Sequence, residues 1–148
     1  MNNNNINFRV HRTKAGTICE LVCAATMLLS IVLSFVLSFN DKQVAGAMIT
    51  QSLSVGSGVL LTLVLAYRPE TFNIPDDSPA ELFVATVNFL RATAVLMSLL
   101  SLGITLGAAC SFHPLPVLIG FGIAMAVVLY MHIVKQLRYS PKKKKKKQ

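Results

Sequence analysis

Between Arg91 and Lys135 the chain runs for 43 residues without an Asp, Glu, Lys or Arg. A helix in water needs a polar face, so a neutral run of this length points to a bilayer as the solvent. Two further stretches, 21–40 and 43–67, are also free of charge. A span of roughly 20 apolar residues, rising 1.5 Å each, crosses a hydrocarbon core of roughly 30 Å. Charged residues make up 14% of the chain against 53% apolar. That leaves too few to coat a soluble enzyme, and it is the opposite of the balance that disorder requires. With 148 residues the chain is one domain long.

The 43-residue run is too long for a single span. Pro114 and Pro116, in segment 111–116, divide it, because proline removes a donor and disfavours helix in the residue before it. Strands of a membrane barrel would alternate polar and apolar residues, and these segments do not, so the spans are helices. The sequence therefore predicts an all-α membrane protein with four transmembrane helices, at about 18–39, 44–67, 92–110 and 115–134. Ser78, Pro79 and Glu81 form a capping box ahead of the third, with Asp76 and Asp77 suited to the positive end of the helix dipole. Helix is thus expected to begin near Pro79 and to run along the interface over about 79–91 before entering the bilayer. The other reading is one long tilted span from which Arg91 snorkels.

Lysine and arginine placement orients the spans. The basic tail 1–17 holds Arg9, Arg12 and Lys14, and the tail 135–148 holds Lys135, Arg138 and six consecutive lysines. The turn after the first span has Lys42 alone, and the turn at 111–116 has no basic residue. Positive charge beside membrane ends stays cytoplasmic, so both termini are expected inside an inner membrane, flanking a transmembrane domain at 18–134. An even number of spans satisfies this, and the charge-free runs independently give four. A cleaved signal peptide is the rival for the first span, with 45–47 (Ala-Gly-Ala) imitating its cleavage site, but the apolar region exceeds the roughly 7–15 residues such a peptide carries.

In the loop between the second and third spans, Tyr67-Arg68-Pro69-Glu70-Thr71-Phe72-Asn73-Ile74-Pro75 precedes Ala80-Glu81 and an apolar helix. This segment resembles that of a family of uncharacterised small bacterial membrane proteins related to the start of Sdp-type toxin-immunity proteins. With the lead from Arg12 and Thr13 to Glu20, the resemblance covers about residues 9–100. It implies the same membrane topology and, by analogy, a task connected with immunity or envelope stress. The family also carries a motif-bearing outer loop after its first span, where this chain has only Phe39-Asn40-Asp41-Lys42-Gln43. Any activity housed in that loop is not implied here.

Lipid tails offer helices no hydrophobic reason to associate, so small residues must let them approach. Such stripes recur four residues apart: Ser30, Ser34 and Ser38; Ser54, Gly58, Thr62 and Ala66, with Gly56 beside them; Gly103 and Gly107; and Gly120 with Ala124 and Gly122 with Ala126. They suit packing within the bundle, and alternatively self-association or a hydroxyl-lined pore.

Chemistry-bearing residues are few. Glu20 and Arg91 sit at matching depths near the inner edges of the first and third spans, where ionisable groups face the bundle and find partners. A structural Glu20–Arg91 ion pair is expected. The alternative is a coupling carboxylate like that of the small multidrug-resistance exporters, although those place it deeper. Cys19 and Cys23 are four apart with no nearby ligand set, Cys110 lies at the far end of its span, and no metal site or disulfide is expected. His113 reads as a turn residue, and His132, Tyr130 and Tyr139 read as interfacial anchors. Lys135, Arg138, Lys142, Lys143, Lys144, Lys145, Lys146 and Lys147 would lie against the anionic inner leaflet, each contributing roughly 1 kcal/mol. That run lacks the interleaved aromatics of a nucleic-acid surface, so no nucleic acid is expected.

No nucleophile-base set, phosphate-binding glycine loop or cofactor motif is present. The chain reads as a non-catalytic, cofactor-free interaction or envelope-associated protein whose partners are anionic lipids and another membrane protein or itself. A transport or pore-forming component, such as a small exporter subunit or a holin-like protein, is the alternative.

Overall fold

The structure, a computed structural model, describes residues 13–39, 42–68 and 80–139. Four helices fill them: α1 (Lys14–Leu37), α2 (Lys42–Tyr67), α3 (Ala80–Ala109) and α4 (Leu115–Tyr139). All four are long and apolar enough to cross a membrane. At 1.5 Å per residue they measure about 36–45 Å. Most of the capping box, the loop motif 69–79 and both terminal tails, including the lysines at 142–147, lie outside the described residues.

The expected extension and the third span form one continuous 30-residue helix, α3. Its first turns have their own neighbours: Val87 and Leu90 pack with Ala66 of α2, and the Phe89 ring stacks on His132 of α4 with centroids 4.4 Å apart. These contacts keep 80–91 on the helix axis as part of the bundle, because packing rather than the water boundary sets the direction of a helix.

α1, α2 and α3 pack mutually, and α4 packs on α3 alone. The burial pattern of α1 and α2 has a seven-residue period. In α1 the buried positions are Gly16, Cys23, Ser30 and Leu37, with Ser34 beside them; in α2 they are Ala45, Ser52, Val59 and Ala66. In α3, Val87, Arg91, Ala94, Ser98, Ser101 and Thr105 follow in steps of four and three. This is the seam of helices that supercoil left-handedly at 3.5 residues per turn.

Because α2 runs antiparallel to the other two, adding seven in α1 and α3 matches subtracting seven in α2. The core therefore divides into layers about 10.5 Å apart, seven residues at 1.5 Å. Ala66, Val87 and Leu90 form one; Cys23, Val59 and Ala94 the next; Ser30, Ser52, Ser101 and Thr105 the third. The fully buried side chains of the core are all small. Large apolar side chains such as Leu28, Phe35, Leu60 and Val64 point outwards, an arrangement suited to a lipid surround and untenable in water.

The turn from α3 to α4 explains the glycine pair. A Cβ on Gly103 would come within 2.8 Å of Val117, so Gly103 admits α4. The carbonyl of Gly107 accepts from Phe112 N–H at 2.8 Å, and that of Ala108 accepts from Ser111 N–H at 3.4 Å, which closes α3 in a Schellman motif. Ser111 holds the left-handed position at φ 56°. His113 then caps α4, its Nδ1 accepting from Leu115 N–H at 3.4 Å. Since a side chain in the left-handed region costs roughly 1 kcal/mol that glycine avoids, Ser111→Gly is expected to stabilise the fold by about 1 kcal/mol. Reversible unfolding of the two proteins in mixed micelles measures the difference.

Candidate functional site

Among the described residues, two polar clusters link side chains of different helices. The deeper one centres on Ser30, whose Oγ lies 2.9 Å from Ser52 Oγ on α2, 3.1 Å from Ser101 Oγ and 2.9 Å from Thr105 Oγ1 on α3. All four residues are fully buried. A serine hydroxyl has one proton and two lone pairs, so three bonds saturate it. Thr105 donates its own proton to the carbonyl of Ser101 at 2.9 Å. With each hydroxyl proton used once, Ser30 donates to Thr105 and accepts from Ser52 and Ser101. Ser34 donates to the Ser30 carbonyl at 2.8 Å. Hydroxyls that could have lined a pore are thus satisfied by one another, across three helices.

The second cluster lies where α1 begins and α2 ends. Thr13 caps α1: its backbone is extended, its Oγ1 accepts from Gly16 N–H at 3.1 Å, and its carbonyl accepts from Thr17 N–H at 3.0 Å. Arg91, only 6% exposed, reaches from α3 and donates through Nη1 to Thr13 Oγ1 at 3.3 Å. Its guanidinium carbon sits 5.7 Å from the centre of the Tyr67 ring, and the Tyr67 hydroxyl donates to Glu20 Oε1. Tyr67 thus touches both residues of the expected ion pair, Glu20 through its hydroxyl and Arg91 across its ring. The arginine meets the face of the ring in a cation–π contact while the carboxylate takes the phenol proton at its edge. A bridging aromatic was not legible because 47 residues separate Tyr67 from Glu20 in the chain.

The remaining predicted residues fall as follows. Ser30 and Ser34 are buried, Ser38 is half-buried, and Ser38 donates to its own helix at Phe35 O. Gly58 lies against the Met97 methyl and Gly56 against that of Met27. Ser54 is exposed, and the α2 residue that faces the bundle is Ser52. A four-residue stripe drifts across a supercoiled seam whereas a seven-residue one follows it, and Ala45, Ser52, Val59 and Ala66 were the signal to read. Gly120 and Gly122 have nothing within 4 Å of an added Cβ. Cys23 is buried and Cys110 exposed, and all three cysteines are free thiols. Lys135 and Arg138 are exposed on the last turns of α4, and Lys135 borders an open groove of about 430 Å³ with Glu81 and Asn88 of α3. No family model, curated protein or solved structure matches the chain.

Interhelical hydroxyl bonds within membranes contribute about 0.6 kcal/mol each on average. Ser30→Ala, which removes three, is expected to destabilise the bundle by about 1–2 kcal/mol, while Ser54→Ala on the exposed face leaves it unchanged. Equilibrium unfolding in mixed micelles distinguishes the two.

Proposed function

We propose that this chain is a non-catalytic, multi-pass protein of a bacterial inner membrane that acts by docking another membrane protein against α4. The observation that supports this reading is the asymmetry of the bundle. α1, α2 and α3 use their small residues on one another, whereas no residue of 115–138 is buried and α4 touches α3 alone. Ile119, Ile123, Val127 and Tyr130 all stand exposed along it. Their side chains flank Gly120 and Gly122, where a second helix backbone can approach closely. The internal closure of the Ser30 hydroxyls weighs against transport or pore formation, which would need those groups to face water.

Both termini belong on the cytoplasmic side in this reading. Lys14, Arg68, Arg91, Lys135 and Arg138 gather at one end of the bundle, whereas Lys42 alone marks the other among the described residues. The lysines at 142–147 would then rest on anionic lipid. The likeness of 67–75 to the small bacterial family supports, by analogy, a partner met in toxin immunity or envelope stress.

A photoreactive residue placed at Ile123 in living cells is expected to give a discrete protein adduct while induced expression leaves the membrane potential intact. Lipid adducts alone, or loss of potential on induction, would overturn the reading. For orientation, reporter fusions at Lys42 and His113 are expected to be active outside the membrane, and those at Asn73 and Gln148 inside.

A further inference from the structure

We propose that the first turn of α1, with Lys14 and Arg91, binds a phosphate group, carried either by an anionic lipid headgroup or by free phosphate. The first backbone N–H groups of any helix have no partner within it. In α1, Thr13 satisfies those of Gly16 and Thr17. The N–H groups of Lys14 and Ala15 have no such partner among the described residues, and both residues are exposed.

Arg91 supplies the independent indication of a ligand. It is more than nine-tenths buried, and its Nη2 has no hydrogen-bond partner. The guanidinium lies directly on the first turn of α1: a Cβ on Gly16 would stand 2.5 Å from Nη2, so glycine at this position is what admits the group. Helix N-termini carry partial positive charge and favour anions over cations. Here a buried cation is pressed against the first turn at that positive end, and the opening residue of the helix, the exposed Lys14, carries a second positive charge. Glu20, one turn along α1, already accepts from Tyr67. Two cations and a positive helix end are set against the single carboxylate of Glu20, and with a buried guanidinium donor unused they form an arrangement that a further anion completes.

Phosphate suits this set better than a smaller anion. Its several acceptor oxygens can take two backbone N–H groups, an ammonium and a guanidinium together. The location also favours it. Thr13 opens α1 and Tyr67 closes α2 at one level, and aromatic rings of this kind mark the headgroup region of a bilayer. The inference does not depend on α4 or on a docked partner.

Lys14→Pro is the decisive variant. Proline is at home in the first position of a helix, and Thr13, with ψ 154°, already has the extended backbone that proline demands before it. The substitution removes the ammonium and one N–H while leaving the fold and the lysines at 142–147 in place. Full-length protein in neutral detergent, at about 0.5 M salt to screen the tail, is titrated with phosphatidylglycerol and phosphatidylcholine by native mass spectrometry. Inorganic phosphate is titrated separately by calorimetry. Wild type is expected to bind phosphatidylglycerol or inorganic phosphate at least tenfold more tightly than either Lys14→Pro or Arg91→Gln. Lipid binding alone identifies a headgroup site, and phosphate binding alone a solute site. Equal affinity of wild type and Lys14→Pro for both probes, or no binding of either, would overturn the proposal. If Arg91→Gln fails to fold, Lys14→Pro decides. Failure of the adduct from Ile123 with phosphate binding intact would count against the docking role of α4 and not against this site.

Discussion

Close approach of three helices at small residues, sealed by one four-way set of hydroxyl bonds, is the constraint from which the rest of this structure follows. In a bilayer the outward leucines and phenylalanines gain nothing by moving inwards, because lipid tails are as apolar as a protein core. Only contacts that bring backbones together, or that remove polar groups from hydrocarbon, discriminate one bundle from another. Ser30 does both. It is small enough to let α1 meet α2 and α3, and it is saturated only when Ser52, Ser101 and Thr105 converge on it. The seven-residue register then follows, and with it the positions of Cys23, Val59 and Ala94 in the neighbouring layer.

The same register accounts for the polar end. Gly16 stands fourteen residues before Ser30, and Arg91 fourteen before Thr105, so the repeat that stacks the hydroxyls also lays the guanidinium across the opening turn of α1. Burying an arginine in this way is tolerable because its stem packs in the bundle, its charge meets the Tyr67 face, and one nitrogen reaches the Thr13 cap. α4 stands apart from this seam. It is held to α3 by Val117 at Gly103 and by His132 on Phe89, and otherwise presents apolar side chains outwards.

How far the sequence disclosed this varied with the physics behind each feature. The four helices were legible, because a neutral run such as 92–134 has one stable outcome in lipid and Pro114 marks where it turns. The start of α3 near residue 80 was legible too, as a helical extension of the third span, whereas the neighbours of that extension were not, since charge pattern reports the water boundary and not the packing of Val87 on Ala66. The serines of α1 were legible and Ser52 was not, because a stripe spaced by four turns about 40° further round the helix at each step and so leaves the seam. Depth alone pointed to Glu20 and Arg91 as neighbours of one polar end, where both contact Tyr67. Tyr67 itself was not legible, since a ring that bridges two charges leaves no trace in local spacing.

The seam is defined by which face of α2 meets Ser30. With Cys19, Cys23 and Cys110 replaced by serine, Ser30→Cys can be combined with either Ser52→Cys or Ser54→Cys in native membranes and treated with a membrane-permeant oxidant. The 30/52 pair is predicted to close an intramolecular disulfide that speeds migration on a denaturing gel, and the 30/54 pair to remain reduced. Closure of 30/54 in preference to 30/52 would contradict the seven-residue seam and the hydroxyl cluster built on it.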